Sequence, residues 1–210
     1  MEKSLKHTKT FRYEVINNHA KVKTVLYVLH GYGQLAKYFI RKFANLPEDI
    51  LIVAPEGMHR FYVKGATGRV GASWMTKEIR DIDIDDNISW LNALDKQISD
   101  LYPINKRLLL GFSQGGSTAI RWAINGNSTF DALLVWASDF PPEESIKKEQ
   151  LPDNQSHFFI GSDDEFYDSV SQEKLINDYK HFGFKISPYI GGHDIHNDTL
   201  LKILDQIHDN

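Results

Sequence analysis

Short apolar runs recur along this chain, and several of them are continuous rather than alternating with polar residues. Val25–Leu29, Asp49–Ala54 and Ala132–Trp136 are of this kind, which is typical of strands that are buried on both faces. Phe11–Ile16 alternates instead and predicts a short edge strand. The complete set of predicted strands is 11–16, 25–29, 49–54, 107–111, 132–136, 157–160 and 185–190.

Between the strands, apolar residues recur at intervals of three and four, the spacing of one helix face. The longest such pattern begins at Ile84 and continues through Ile88 and Leu91 until Pro103. Strands that alternate with helices across short connections predict an α/β fold, with a mostly parallel sheet covered on both faces. We expect a single domain over residues 1–210. Four more helices are predicted, over about 35–45, 113–125, 171–182 and 197–208.

The segment 55–78 fits neither pattern and is predicted to be irregular. It contains four glycines together with the aromatic residues Phe61, Tyr62 and Trp74. An irregular segment of this length is uncommon in a compact domain and is usually functional. We expect its aromatic side chains to face substrate, and a lid or a dimer contact is the alternative.

The composition narrows the class of protein. The chain has 210 residues, of which 41% are hydrophobic and 25% charged, and a formal net charge of −4 without a basic block. Neither nucleic acid nor an anionic membrane is therefore predicted as a partner. The absence of cysteine excludes disulfides, thiolate catalysis and cysteine zinc sites. Since neither a signal-peptide core nor an apolar run of ~18 residues is found, we expect a cytoplasmic protein without a membrane span.

One segment carries a catalytic motif. Gly111-Phe-Ser113-Gln-Gly115 matches G-x-S-x-G, in which a serine occupies a sharp turn between a strand and a helix. The match lies where the apolar run 107–111 meets a helical pattern, which is the context that the motif requires. Small residues flank the serine because side chains there would collide with the crossing backbone. Ser113 is therefore predicted to be a nucleophile.

A serine hydroxyl needs a neighbouring base, which near neutral pH points to histidine. The loops that follow parallel strands meet at one edge of the sheet, and three of the nine histidines lie in such loops. His193 follows two glycines directly after the last strand and is the predicted base. His196 is the alternative, whereas His30 is expected to brace its own loop through hydrogen bonds.

The base in turn needs a carboxylate to orient it. Asp164, just after the penultimate strand, is the predicted partner, with Asp163 second and Asp139 third. The resulting chain order of serine, aspartate and histidine is that of α/β-hydrolases. Two amides are predicted to stabilise the oxyanion: that of Gln114 and that of Tyr32, which lies between glycines after an early strand.

With these residues placed, the chain resembles the phospholipase/carboxylesterase family of small α/β-hydrolases, which includes acyl-protein thioesterases and bacterial carboxylesterases. The matching segments are His30–Gln34, Gly111–Gly116, Gly161–Asp164 and Gly192–Ile195. The resemblance implies ester or thioester hydrolysis without a metal or cofactor. It implies Ser113, Asp164 and His193 as the triad and Tyr32 and Gln114 as the oxyanion donors.

The sequence thus predicts a serine esterase that works through an acyl-enzyme on a small ester or thioester, as a monomer or a homodimer. Lipid or acyl-protein substrates, a peptide bond, or a catalytically silent binding module are the alternatives. The candidate pocket walls are Phe61, Tyr62, Trp74, Phe140, Phe166 and Tyr167.

Overall fold

The computed structural model describes residues 3–143, 146–152 and 155–208. The strands are β1 (Tyr13–Ile16), β2 (Thr24–Leu29), β3 (Ile50–Pro55), β4 (His59–Tyr62), β5 (Val70–Ser73), β6 (Lys106–Phe112), β7 (Ala132–Trp136), β8 (Ser156–Gly161) and β9 (Lys185–Tyr189). The helices are α1 (Ala36–Phe39), α2 (Arg80–Leu101), α3 (Gln114–Asn125), α4 (Ser169–His181) and α5 (Asn197–His208), and short 3₁₀ turns occupy Ile40–Phe43 and Lys148–Gln150.

Within the described residues, seven strands form the main sheet in the order β1-β3-β2-β6-β7-β8-β9. The edge strand β1 pairs with β3 in the antiparallel direction, and every other pairing in this sheet is parallel. The predicted α/β class and the mostly parallel sheet are therefore confirmed. Because β6 lies between β2 and β7, the loop that carries Ser113 leaves the middle of the sheet.

The core occupies both faces of the sheet, as the continuous apolar runs predict. In β2, Val25 and Tyr27 pack on one face, together with Leu91 of α2 and Leu175 of α4. Leu26 and Val28 pack on the other face, together with Phe39 of α1 and Leu200 of α5. The alternation follows from the two-residue period of a strand. Among the described residues, no helix is long and apolar enough to cross a membrane.

The interpretation of 55–78 as wholly irregular is wrong. β4 and β5 pair as an antiparallel hairpin inside this segment. The hairpin attaches to the turn after β2, because Gly33 N–H donates to the Ala72 carbonyl and Ala72 N–H donates to the Gln34 carbonyl, each at 2.9 Å. Neither strand is a continuous apolar run, so pairing with a partner strand, rather than local pattern, decides this structure.

Two predicted helices also differ in their bounds. The stretch 35–45 forms one turn of α-helix followed by a 3₁₀ turn rather than a single helix, although Phe39 and Phe43 are buried as predicted. Helix α2 begins at Arg80, four residues before Ile84. Its first turn contains Asp81 and Asp83, and acidic residues stabilise a helix N-terminus without contributing to an apolar pattern.

Candidate active site

Ser113 lies at a strained turn between β6 and α3. Its φ is +53° and its ψ is −125°, a left-handed backbone that a residue other than glycine rarely adopts. A Cβ atom on Gly115 would lie 2.3 Å from the Leu29 carbonyl oxygen, and one on Gly111 would lie 2.4 Å from the Gly115 carbonyl oxygen. The predicted need for glycine on both sides of the serine is thus confirmed by the close approach of the backbone.

Asp164 and His193 are in direct contact. Asp164 Oδ2 is 2.8 Å from Nδ1 of His193, and the Asp164 side chain is fully buried. The other carboxylate oxygen accepts the amide of Phe166 at 3.0 Å, so both oxygens are held. A carboxylate at Nδ1 requires the proton on that nitrogen, which leaves Nε2 of the neutral ring as an acceptor.

The imidazole of His193 is also packed between aromatic rings. The centroid of its ring lies 4.8 Å from that of Phe112, the residue before Ser113, and 4.4 Å from that of Phe166. Its backbone N–H donates to Glu165 Oε2 at 3.1 Å. These contacts restrict the ring to one position above the end of β6.

The alternative histidines have other partners. His196 Nδ1 is 2.8 Å from Thr199 Oγ1, and its ring stacks on Tyr189. His30 is fully buried; its Nε2 accepts the Gly57 amide at 3.0 Å, so Nδ1 donates to the carbonyl oxygen of Gly31 at 2.8 Å. Burial lowers the pKa of His30 to about 4 and keeps the ring neutral. His30 therefore braces its own loop, as predicted.

The alternative carboxylates do not reach His193. Asp163 is exposed, and its Oδ2 accepts the hydroxyl of Ser162 at 2.9 Å. Asp139 is exposed on the border of the cleft that contains Ser113. Burial, followed by the nearby Asp139 charge, raises the pKa of Tyr167, which keeps that phenol protonated.

Two amides lie where an oxyanion could be stabilised. The N–H of Gln114 is the first of α3, where helical amides have no carbonyl partner within the helix. On the neighbouring turn, the amides of Gly31 and Gly33 are bonded to Gln34 Oε1 and the Ala72 carbonyl. For the intervening Tyr32 amide, no acceptor is found in the described part of the chain. A Cβ on Gly31 would lie 3.2 Å from the Cβ of Ser113, so this turn touches the serine.

An open cleft of about 720 Å³ joins these groups. Ser113, Gln114 and His193 line it, and Phe140, Phe166 and Tyr167 of the predicted pocket walls do so as well. Its polar lining also includes Arg80 and Arg121, which belong to no motif in the sequence. Nothing in their local sequence distinguishes them from surface cations, since they are 41 residues apart and meet only in the folded chain.

The other predicted walls lie elsewhere. The prediction for Trp74 is wrong, because its side chain is fully buried and its Nε1–H donates to the His30 carbonyl at 2.8 Å. Phe61 and Tyr62 lie on β4 and do not line the cleft. The Phe61 ring instead contacts that of Tyr32, with 5.0 Å between the centroids.

The side chain of Gln114 has a positioning role that the motif alone did not indicate. Its Oε1 accepts the amide of Trp74 at 3.1 Å, and its Nε2 donates to the Met75 carbonyl at 2.9 Å. These bonds tie the start of α3 to the segment after β5. One wall of the cleft is therefore fixed relative to the amide that follows Ser113.

Comparison with known proteins identifies the family. A model of the phospholipase/carboxylesterase family matches residues 12–209. The chain belongs to this family. Membership confirms the resemblance drawn from the four sequence segments and makes the protein a hydrolase. A search among curated proteins gives no match.

Solved structures share the fold at low sequence identity. An acyl-protein thioesterase 2 from Zea mays is 17% identical with a TM-score of 0.70, covering 94% of this chain and 98% of that chain. A Bacillus cereus carboxylesterase is 13% identical with a TM-score of 0.64, covering 95% and 94%. A carboxylesterase from Mesorhizobium loti is 15% identical with a TM-score of 0.67, covering 95% of each chain. The shared architecture extends over nearly the whole chain.

Among the described residues, no group of three or more His, Cys, Asp or Glu side chains forms a metal site.

Proposed function

We propose that this member of the family is a serine esterase that cleaves carboxylic esters or thioesters through an acyl-enzyme, with Ser113, His193 and Asp164 as the triad. The observation that carries the proposal is the contact of 2.8 Å between the buried Asp164 and His193, whose imidazole lines the same cleft as a serine on a strained turn. A carboxylate that fixes the tautomer of an imidazole beside a serine is the arrangement that activates the hydroxyl.

The reaction follows from these groups. His193 Nε2 takes the proton of Ser113 as Oγ forms a bond to the substrate carbonyl carbon. The amides of Tyr32 and Gln114 stabilise the negative oxygen of the tetrahedral intermediate. The C–O or C–S bond then breaks, and His193 gives its proton to the leaving alcohol or thiol. Water, activated by the same nitrogen, releases the acid and restores Ser113, while Asp164 stabilises the imidazolium in both steps.

We expect small and medium acyl groups to be preferred over long apolar chains, because charged and polar side chains share the lining of the cleft with Phe140 and Phe166. The cleft volume of about 720 Å³ lies within the range of small-molecule sites. A series of p-nitrophenyl esters from acetate to palmitate tests this preference, because a long-chain thioesterase or lysophospholipase would favour palmitate.

The first experiment replaces the nucleophile. Ser113→Ala is expected to abolish hydrolysis of p-nitrophenyl butyrate and labelling by a fluorophosphonate. Ser117→Ala is the matched control, since Ser117 lines the same cleft and its hydroxyl donates to the Asp139 carbonyl at 2.7 Å. Undiminished hydrolysis in Ser113→Ala would exclude the assigned nucleophile. Absence of both turnover and labelling in the native protein would favour a silent binding module.

A further inference from the structure

Two arginines of the cleft share one carboxylate. Arg80 Nη2 donates to Glu143 Oε1 at 2.6 Å, and Arg121 donates to the same oxygen from Nη2 at 2.8 Å and from Nε at 3.2 Å. Both arginines line the cleft that contains Ser113. The three side chains together carry two positive charges and one negative charge, so one positive charge is left over at this end of the cleft.

The hydrogen-bonding capacity of the two guanidinium groups is only partly used. Each group carries five N–H donors, and Glu143 accepts from one nitrogen of Arg80 and two nitrogens of Arg121. Nη1 of Arg121 has the sulfur of Met75 at 3.9 Å, which is a weak acceptor. Planar forks of this kind match the two oxygens of a carboxylate or the oxygens of a phosphate.

The burial of Arg121 makes the unbalanced charge costly. Only 5% of its side chain is exposed, against 33% for Arg80. Burial lowers the pKa of Arg121, although the hydrogen bond to Glu143 opposes this, and an arginine stays protonated in any case. A buried charge is stabilised by opposite charge, and Glu143 serves two cations. An anion that enters the cleft would complete the pairing.

The position of Arg121 along α3 sets the distance from the reaction. Gln114, Ser117 and Arg121 all line the cleft at spacings of three and four residues, which places them on one face of the helix. Arg121 is seven residues after Gln114, and a rise of 1.5 Å per residue gives about 10 Å along the axis. Helical side chains lean back toward the N-terminus, so the guanidinium lies nearer to Ser113 than its Cα does.

Other charged groups in the lining do not cancel this charge. Lys77 is exposed and adds a further cation, whereas Asp139 is exposed and lies beside Tyr167. In the part of the chain that the structure describes, the charged side chains that line the cleft are three cations and Asp139, and Glu143 adds a second carboxylate at the arginines. The exposed Asp81 and Asp85 line a neighbouring cavity with Arg121 and Glu143 but do not line the cleft itself.

We propose that Arg80 and Arg121 form a subsite for a carboxylate on the acyl group of the substrate, so that this enzyme hydrolyses monoesters of dicarboxylic acids in preference to neutral esters. The proposal rests on the proposed esterase function and specifies its substrate class. The same two guanidinium groups could bind a phosphate. Inorganic phosphate is therefore tested as a competitor, to tell a phosphate site from a carboxylate site.

The test compares esters that differ only in the terminal charge. The p-nitrophenyl monoesters of succinic, adipic and suberic acid are compared with p-nitrophenyl butyrate, hexanoate and octanoate in the native protein. We expect kcat/KM to favour the charged ester about tenfold or more at the six- or eight-carbon length, as expected for a hydrogen bond between charged groups. The preference should shrink at high salt.

Variants assign the preference to the arginines. Arg80→Met should reduce the charged-to-neutral ratio of kcat/KM about tenfold, and Arg121→Met should do the same if it folds. Arg80 is one-third exposed, so its variant keeps the test valid even when loss of the buried Arg121 is not tolerated. Lys96→Met is the matched control, because Lys96 is an exposed cation on the same helix as Arg80 and pairs with Asp100.

The outcomes separate the subsite from the reaction. Equal kcat/KM for charged and neutral esters, or a preference that survives in Arg80→Met, would overturn the subsite while leaving the esterase proposal intact. If no ester is hydrolysed, the esterase proposal fails, and adipate alone still tests the subsite. Adipate should then raise the Tm of the native protein and of Lys96→Met but not that of Arg80→Met. No shift in the native protein would refute the subsite, and a shift with phosphate but not adipate would refute the carboxylate assignment.

Discussion

Replacing Asp164 by asparagine tests the role assigned to the buried carboxylate with little change in shape. The carboxylate accepts two hydrogen bonds, from His193 Nδ1 at 2.8 Å and from the amide of Phe166 at 3.0 Å. An asparagine has only one oxygen. If that oxygen stays with Phe166, the amide NH₂ faces Nδ1 and forces the imidazole into the tautomer with its proton on Nε2.

Either orientation of the asparagine is costly. In the first, Nε2 carries the proton and cannot accept that of Ser113, so kcat should fall about 10³–10⁴-fold. In the second, the NH₂ group meets the part-buried N–H of Phe166, and the buried NH₂ without an acceptor costs about 1–3 kcal/mol of stability. The first orientation keeps the structure and loses the activity, and the second loses stability as well.

The assay measures kcat for p-nitrophenyl butyrate, together with the free energy of unfolding in urea. Asp163→Asn is the matched control, because Asp163 is the adjacent residue and its exposed side chain accepts a hydrogen bond from the Ser162 hydroxyl. We expect its kcat to stay within about threefold of the native value, as for surface substitutions generally. The reasoning would be refuted if Asp164→Asn retained kcat within threefold, or if Asp163→Asn lost as much activity.

Two further predictions concern buried positions. Gly115→Ala should lower the free energy of unfolding by about 1–3 kcal/mol and reduce kcat/KM, because its Cβ would lie 2.3 Å from the Leu29 carbonyl oxygen. The control Gly65→Ala has open space around it but a φ of +62°, so it should lose some stability through its backbone and keep full activity. His157 is buried with no hydrogen-bond partner for either ring nitrogen in the described part of the chain, and burial, with a contribution from the nearby Lys185 charge, lowers its pKa to about 4. Because the unfolded chain takes up a proton below about 6.5, the stability that this shift contributes is complete above that pH and is lost as the pH falls toward 4, by about 3 kcal/mol. Urea unfolding at pH 7 and pH 4 should show a smaller loss in His157→Phe than in the native protein, and an equal loss in both would contradict the assignment.

The parts of the fold that depend on near neighbours could be predicted from the sequence. A strand buried on both faces has to be continuously apolar, so β2, β3 and β7 are visible as runs of such residues. The glycines around Ser113 are equally local, because the turn leaves no room for a side chain at Gly111 or Gly115. The family resemblance follows from the same short segments and is confirmed by the match over residues 12–209.

Other features depend on contacts between residues that are far apart in the chain. Trp74 is an aromatic residue of a glycine-rich segment, as a pocket wall would be. Its side chain is nevertheless fully buried in the core, where it donates a hydrogen bond to the His30 carbonyl. The hairpin of β4 and β5 forms because two segments without a continuous apolar pattern pair with each other and with the turn after β2.

Local sequence determined the turn that carries Ser113 and the class of fold, because backbone geometry and two-sided burial constrain each residue through its immediate neighbours. The sequence favoured Asp164 but kept Asp163 as an alternative, and the tertiary structure decided between them, since adjacent loop residues point in different directions and only Asp164 contacts His193. The tertiary structure also decided that Arg80 and Arg121 meet at Glu143. Ion pairs form between side chains that are close in space, so the pairing of these arginines with Glu143 cannot be predicted from periodicity or spacing in the sequence.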